Sequence, residues 1–212
     1  MNLNTLRNTF IIPLCAALIL PNLSGCAALI AGGVAQTALI LGDRRPVSVV
    51  TLDRGVQLEA DSVISQKFQD DAHVSVNVFN QKVLLTGEVK SQEMKEQVQS
   101  SVSSIKNIRV IANELSIGLP SSTSSRISDA SLLSLVKAKL IATTDVPSNS
   151  LKITVEAGTV YLMGIATELE AKAAATVASK SSSSIKEVVK LFDIISEEEK
   201  KKFVVPVSNE KK

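Results

Sequence analysis

Very few side chains in this sequence could start a reaction. Among 212 residues there is one histidine, His73, and two cysteines, Cys15 and Cys26. That is too little for a Cys/His zinc site or a His-activated nucleophile, each of which needs several such groups converging. His73 follows Asp70 and Asp71 at the start of an alternating run, with no nucleophile or orienting partner in a local motif. It reads as a solvent-facing side chain, and the two aspartates as a polar turn. Gly32-Gly33 lacks the Lys-Ser/Thr of a phosphate loop. One spacing does carry chemistry. Leu23-Ser24-Gly25-Cys26 follows an 11-residue apolar run, Phe10 to Leu20, behind the positive Arg7. Small residues at 24 and 25 fit a protease subsite that admits no bulk. Cys26 then offers a thiol for a thioether to diacylglycerol and, as a new N-terminus, an amine for an N-acyl chain.

An 11-residue apolar run is too short for a bilayer, which takes roughly 20 residues, but suits a secretory signal. The whole segment is similar to the lipobox signal of bacterial lipoproteins. Cleavage before Cys26 removes Cys15, so no intramolecular disulfide can form. Several acyl chains give stable attachment where one is marginal. Ala27, not Asp, is the second mature residue. For a Gram-negative lipoprotein, that resemblance implies export to the outer membrane, facing the periplasm. Residues 27 to 41 are again apolar, but Gly32-Gly33 interrupts them, and they read as a segment at the lipid surface. Gly42-Asp43-Arg44-Arg45-Pro46 reads as a linker.

Composition narrows the rest. The chain is 45% hydrophobic, 3% aromatic and 21% charged, with a formal net charge of +2. A nucleic-acid partner is not expected, because phosphate binding usually shows a clustered basic excess and base stacking needs aromatics. No enzyme signature, metal site or cofactor is expected beyond the acyl groups on Cys26.

The elements come as a repeat. Val76 to Gly87 and Ile153 to Gly164 align at an offset of 77, with apolar positions coinciding and Gly87 matching Gly164. In each copy two apolar runs flank a short turn, Asn80-Gln81 or Ala157-Gly158, which is a β-hairpin pattern. A helical stripe follows each glycine: Met94, Val98, Val102 and Ile105, then Leu169, Ala173, Val177 and Ala178. A helix precedes each hairpin and a short third strand closes each copy. The spacing predicts an α+β fold of two αββαβ sandwiches, each a three-stranded mixed sheet with two helices on one face. Gly87 and Gly164 are structural positions, giving backbone freedom where strand hands over to helix. The boundaries read as a signal peptide over 1–25, a lipidated tether and linker over 26–52, and modules over 53–117 and 128–195. A Ser/Thr-rich linker over 118–127 and a charged, disordered tail over 196–212 complete the chain.

A lipobox followed by two such copies resembles the tandem BON-domain lipoproteins. The residues that carry the likeness are Gln81 to Gly87 in the first copy and Val160 to Glu168, then Glu170 to Ala175, in the second. The resemblance implies binding to anionic phospholipid, support of outer-membrane integrity and a place at the division site. An alternative is an envelope scaffold that contacts outer-membrane assembly or peptidoglycan-remodelling proteins.

The helix opening the second copy is the implied lipid contact. Leu132, Leu133, Val136 and Leu140 share one stripe at about 100° per residue, while Leu135 and Ile141 fall on its flanks with Lys139 and Lys137 beside them. The candidate lipid-binding residues are Leu132, Leu135, Lys139 and Ile141. An apolar rim edged by lysines suits anionic headgroups, with the lysine stems snorkelling. Modules of about 70 residues bury little surface alone, so the two are expected to pack on each other.

Overall fold

A computed structural model describes residues 42–68 and 72–203. Residues 1–25, read above as a signal peptide, together with Cys26, the apolar stretch 27–41, Asp70-Asp71 and the end of the tail, lie outside the described residues. The first module consists of α1 (Val47–Phe68), β1 (Ala72–Phe79), β2 (Lys82–Val89), α2 (Gln92–Ser103), β3 (Val110–Asn113) and a short β4 (Ser116–Ile117). The second consists of α3 (Thr123–Ile141), β5 (Leu151–Glu156), β6 (Thr159–Ala166), α4 (Glu168–Ser179) and β7 (Glu187–Ile194), with α5 (Glu197–Lys201) after it.

In both modules the hairpin's second strand is central. β1 pairs antiparallel with β2, and β3 and β4 run parallel to β2. β6 lies likewise between antiparallel β5 and parallel β7. A crossover helix between neighbouring strands makes the last pair parallel. The turns are tight: Asn80, Gln81, Ala157 and Gly158 all have positive φ, between 51° and 80°. Such turns match the strand twist. A carboxylate on the preceding helix steadies each one. Asp53 on α1 and Asp129 on α3, both buried, accept the two turn amides of their own module.

The two glycines hold equivalent places, each sixth of eight residues in its strand, but for different reasons. Gly87 pairs with Val74 at φ +114°, where a Cβ would run into the His73 carbonyl. Gly164 pairs with Leu151, and a Cβ there would meet the Leu151 side chain and the Ser150 carbonyl 2.7 Å away. The first needs backbone freedom. The second needs only empty space.

Helices cover one face of each sheet. Val56, Ala60, Ile64 and Phe68 of α1 pack with Val98 and Val102 of α2 over Val83, Leu85 and Val89. Leu132, Val136 and Leu140 of α3 pack with Ala174 and Ala178 of α4 over Val160 and Leu162. The opposite faces of the two sheets meet each other. Phe79 and Leu84 of the first module bury against Tyr161, Met163 and Ile165 of the second, flanked by Ala112, Val189 and Leu191. Each fully buried side chain of this size contributes roughly 1.5–3 kcal/mol, so the modules form one body with the helices outermost. Polar contacts border the seam. Lys82 and Arg109 pair with Asp193 at 3.3 and 2.8 Å, and Lys152 donates to Gln57 at 2.7 Å.

The segment ahead of α1 is part of this body. Arg44 donates two hydrogen bonds to Glu170 of α4, at 2.6 and 2.8 Å, and a third to the Ile165 carbonyl at 2.9 Å. Its amide and the Gly42 carbonyl both bond the Ser150 hydroxyl. Arg45 pairs with Asp43 and Asp53 and stacks 3.8 Å over the Phe79 ring. Burial alone would raise the Glu170 carboxyl. The hydrogen bonds from Arg44, the Thr167 amide and Lys200 outweigh it and hold the group down at about 2.

Three boundaries differ from the sequence reading. α1 begins at Val47, inside the stretch read as linker up to residue 52. The Pro46 carbonyl accepts from Val49 and Val50, and proline's fixed φ suits a helix start as well as a linker. α3 begins at Thr123, inside 118–127, because Ser122 caps it by accepting from the Ser125 amide. Serines that resemble a flexible linker here serve as caps. α5 lies in the tail read as disordered: Ser196 and Glu199 form a capping box, and Lys200 reaches Glu170 at 3.1 Å. The first sheet also gains β4 as a fourth strand, after a break in which Leu115 turns into the core.

Candidate functional site

α3 sends one face inward and leaves the opposite face uncovered. Asp129, Leu132, Val136 and Leu140 are buried on the inner stripe. Leu132, expected among the lipid contacts, is only 8% exposed and packs in the second core. Its place on the stripe with Val136 and Leu140 commits it to folding, so it is no surface residue. Leu135 and Ile141 do face outward, at 40% and 68% exposure. Ile127 joins them at 63%. At about 100° per residue it falls about 40° from Ile141 and about 80° from Leu135, between the two on the outer arc. That spacing was open to reading in the sequence. Ser131, Ser134 and Ala138 fill the same face with small side chains.

Lysines border this apolar strip. Lys137 is exposed on one flank. Lys139, on the other, donates to the Ser181 carbonyl at 2.9 Å just beyond α4. The hydrogen bond holds the ammonium in place and leaves further N–H donors for a ligand. Beside it is an open hollow of about 460 Å³ lined by Lys139, Ala142, Thr143, Thr176, Val177 and Lys180. Two ammonium groups on one concave patch favour an anion. Lys180 could not be assigned to this patch from the sequence, because only the docking of α4 on α3 brings it there.

His73 differs from expectation. It is half-buried where the modules meet, with Nε2 3.7 Å from Oε1 of Glu156. Cys26 lies outside the described residues. Among the described residues, no helix is long and apolar enough to cross a membrane.

The repeat of helix, hairpin, helix and strand also matches a known domain twice. The BON domain fits residues 47–118 and again residues 128–196. The chain belongs to the BON-domain family. Its sequence is similar to the outer membrane lipoprotein DolP of Haemophilus influenzae, at 30% identity over 172 residues, covering 80% of this chain and 89% of that one. It is also similar to a 21 kDa hemolysin of Actinobacillus pleuropneumoniae, 26% identical over 129 residues, 61% of this chain and 66% of the other. Among solved structures, the C-terminal domain of CdsD, a structural protein of the type III secretion system of Chlamydia trachomatis, aligns with 66% of this chain and 96% of its own. The identity there is 11% and the TM-score 0.29.

Proposed function

We propose that this protein is an outer-membrane lipoprotein, anchored through acylated Cys26 and facing the periplasm, that binds anionic phospholipid and catalyses no reaction. Its similarity to DolP over most of both chains supports the address. The outer face of α3 carries the binding. Ile127, Leu135 and Ile141 are exposed together there, between Lys137 on one side and Lys139 with Lys180 on the other. Each lysine near an anionic surface contributes about 1 kcal/mol, and salt screens it. Each large aliphatic side chain adds about 1.5 kcal/mol or more if lipid covers it fully. No aromatic lies between Arg126 and Ile141, so the helix seats shallowly, in the headgroup boundary. The biological role that follows is support of outer-membrane integrity, with action at the division site.

Residues 42–212 form a compact unit, and this acyl-free fragment isolates the protein's own affinity from that of its anchor. Co-sedimentation with phosphatidylglycerol vesicles, and not with pure phosphatidylcholine, is expected. Failure to bind any vesicle would sink the lipid reading and give the α3 face to a protein partner of the envelope.

A further inference from the structure

We infer that His73, Glu88 and Glu156 form a binding site for a divalent transition-metal cation at the junction of the two modules. His73 and Glu88 face each other across the β1–β2 ladder, and Glu156 ends β5 of the other module. One ligand atom from each lies within 4.8 Å of the other two, the sole such grouping of three among the described residues. Tetrahedral zinc with bonds of about 2.0–2.2 Å holds neighbouring ligand atoms about 3.3–3.6 Å apart. The His73–Glu156 separation of 3.7 Å is nearly there. The Ser121 amide donates to Oε2 of Glu88 at 3.1 Å and orients that carboxylate, as outer hydrogen bonds do around metal ligands. A cavity of about 260 Å³ opens beside His73 and Glu156, lined also by Ser75, Asp129 and Arg126, and has room for a water as fourth ligand.

Charge favours the same reading. Glu88, Glu156 and Asp129 converge, with Arg126 the cation that opposes them. Asp129 is spent on the hairpin amides. Burial first, then the Glu88 and Asp129 carboxylates, push Glu156 up to about 7 against the pull of Arg126. An imidazole among the ligands prefers zinc, nickel or copper to magnesium or calcium. A bound ion would tie β1 and β2 of one module to β5 of the other. It is separate from the α3 face and independent of lipid.

Zinc is the probe, and His73 is the only imidazole in the chain, so its NMR signals report on this site alone. In the full mature chain, untagged, acylated and chelator-treated in detergent, the His73 ring signals should shift saturably with one equivalent of Zn²⁺ and not with Mg²⁺. Zn²⁺ should also raise the melting midpoint. Glu156→Gln, which keeps the shape and removes repulsion, should bind Zn²⁺ at least tenfold more weakly with an undiminished metal-free midpoint. His73 signals that stay fixed under excess Zn²⁺ would overturn the proposal, even if zinc is taken up elsewhere. So would a Glu156→Gln protein that binds zinc as tightly as the parent.

Discussion

Asp53 and Asp129 serve as the same structural part in successive modules. Asp53 accepts from the amides of Asn80 and Gln81 at 2.6 and 2.7 Å; Asp129 accepts from those of Ala157 and Gly158 at 2.9 and 3.0 Å. Each ties the helix that opens its module to a turn at least 27 residues further on. Removing either carboxylate leaves two turn amides without their acceptor. Asp129→Ala should cost about 3 kcal/mol of unfolding free energy. Asp53→Ala should cost more, because it also removes one of the two carboxylates that pair with Arg45. Urea denaturation monitored by circular dichroism measures both, and losses below about 0.5 kcal/mol would contradict this account.

The Arg44–Glu170 contact should make stability depend on acid. Glu170 ionises at about 2 in the folded chain against 4.5 ordinarily. A depressed carboxyl stabilises fully above its unfolded value and loses that contribution as pH falls towards the folded one. Stability should therefore drop between about pH 5 and 2, by at most about 3 kcal/mol from this group. Arg44→Ala should lower the midpoint at pH 7 and flatten that acid slope. An unchanged slope in the variant would place the acid sensitivity elsewhere.

Opposite faces of α3 should respond differently to charge. Leu135→Glu and Ile141→Glu should weaken binding to phosphatidylglycerol vesicles about tenfold each while leaving the melting midpoint within a few degrees. Val136→Glu and Leu132→Glu, on the buried stripe, should unfold the second module. Vesicle flotation beside thermal melts separates the classes. If Leu135→Glu binds as before, membrane contact by this face is ruled out.

The two glycines should differ in tolerance. Gly87→Ala sets a side chain against backbone at a positive φ, so about 2 kcal/mol or more is expected. Gly164→Ala meets the end of the Leu151 side chain, which can turn aside, and the Ser150 carbonyl 2.7 Å away, but at an ordinary φ, so it should cost less. Pairing it with Leu151→Ala should recover part of the loss, measured by a double-mutant cycle.

Cys26→Ala should abolish lipidation. The expected product is a larger, unprocessed chain or a soluble periplasmic form, read by gel mobility and membrane fractionation. A variant that still matures and fractionates with the outer membrane would exclude acylation at Cys26.

The hairpins and their helices were legible because each rests on local periodicity: Val74, Val76 and Val78 alternate, and Val98 and Val102 recur at helical spacing. Docking of the two sheets was expected from module size alone, and the unbroken apolar runs Val83 to Leu85 and Val160 to Met163, which leave no polar face for water, agree with it. Asp53 and Asp129 were not singled out, since an acid on a helix ordinarily faces solvent. Their partners lie beyond the reach of any local motif, although their offset of 76 nearly equals that of the hairpins. His73 was misjudged for a similar reason: Glu156 approaches it from the other module. In the candidate lipid site, the exposed aliphatics followed from helical angle, but Leu132 belongs to the core and Lys180 reaches the patch only through tertiary packing.

Because Gly42 and Arg44 are fastened to Ser150, Ile165 and Glu170, the N-terminal lead into the folded body is also a load path. A pull on that lead reaches the second module directly, before α1 feels it. The bonds of Arg44 to Ile165 and Glu170 act on one side chain and would carry such a pull jointly. Survival under tension is set by the rate of that joint rupture and not by equilibrium stability. A pull from an anchor ahead of Gly42 would thus be met first by the Arg44 contacts with Ile165 and Glu170 of the second module.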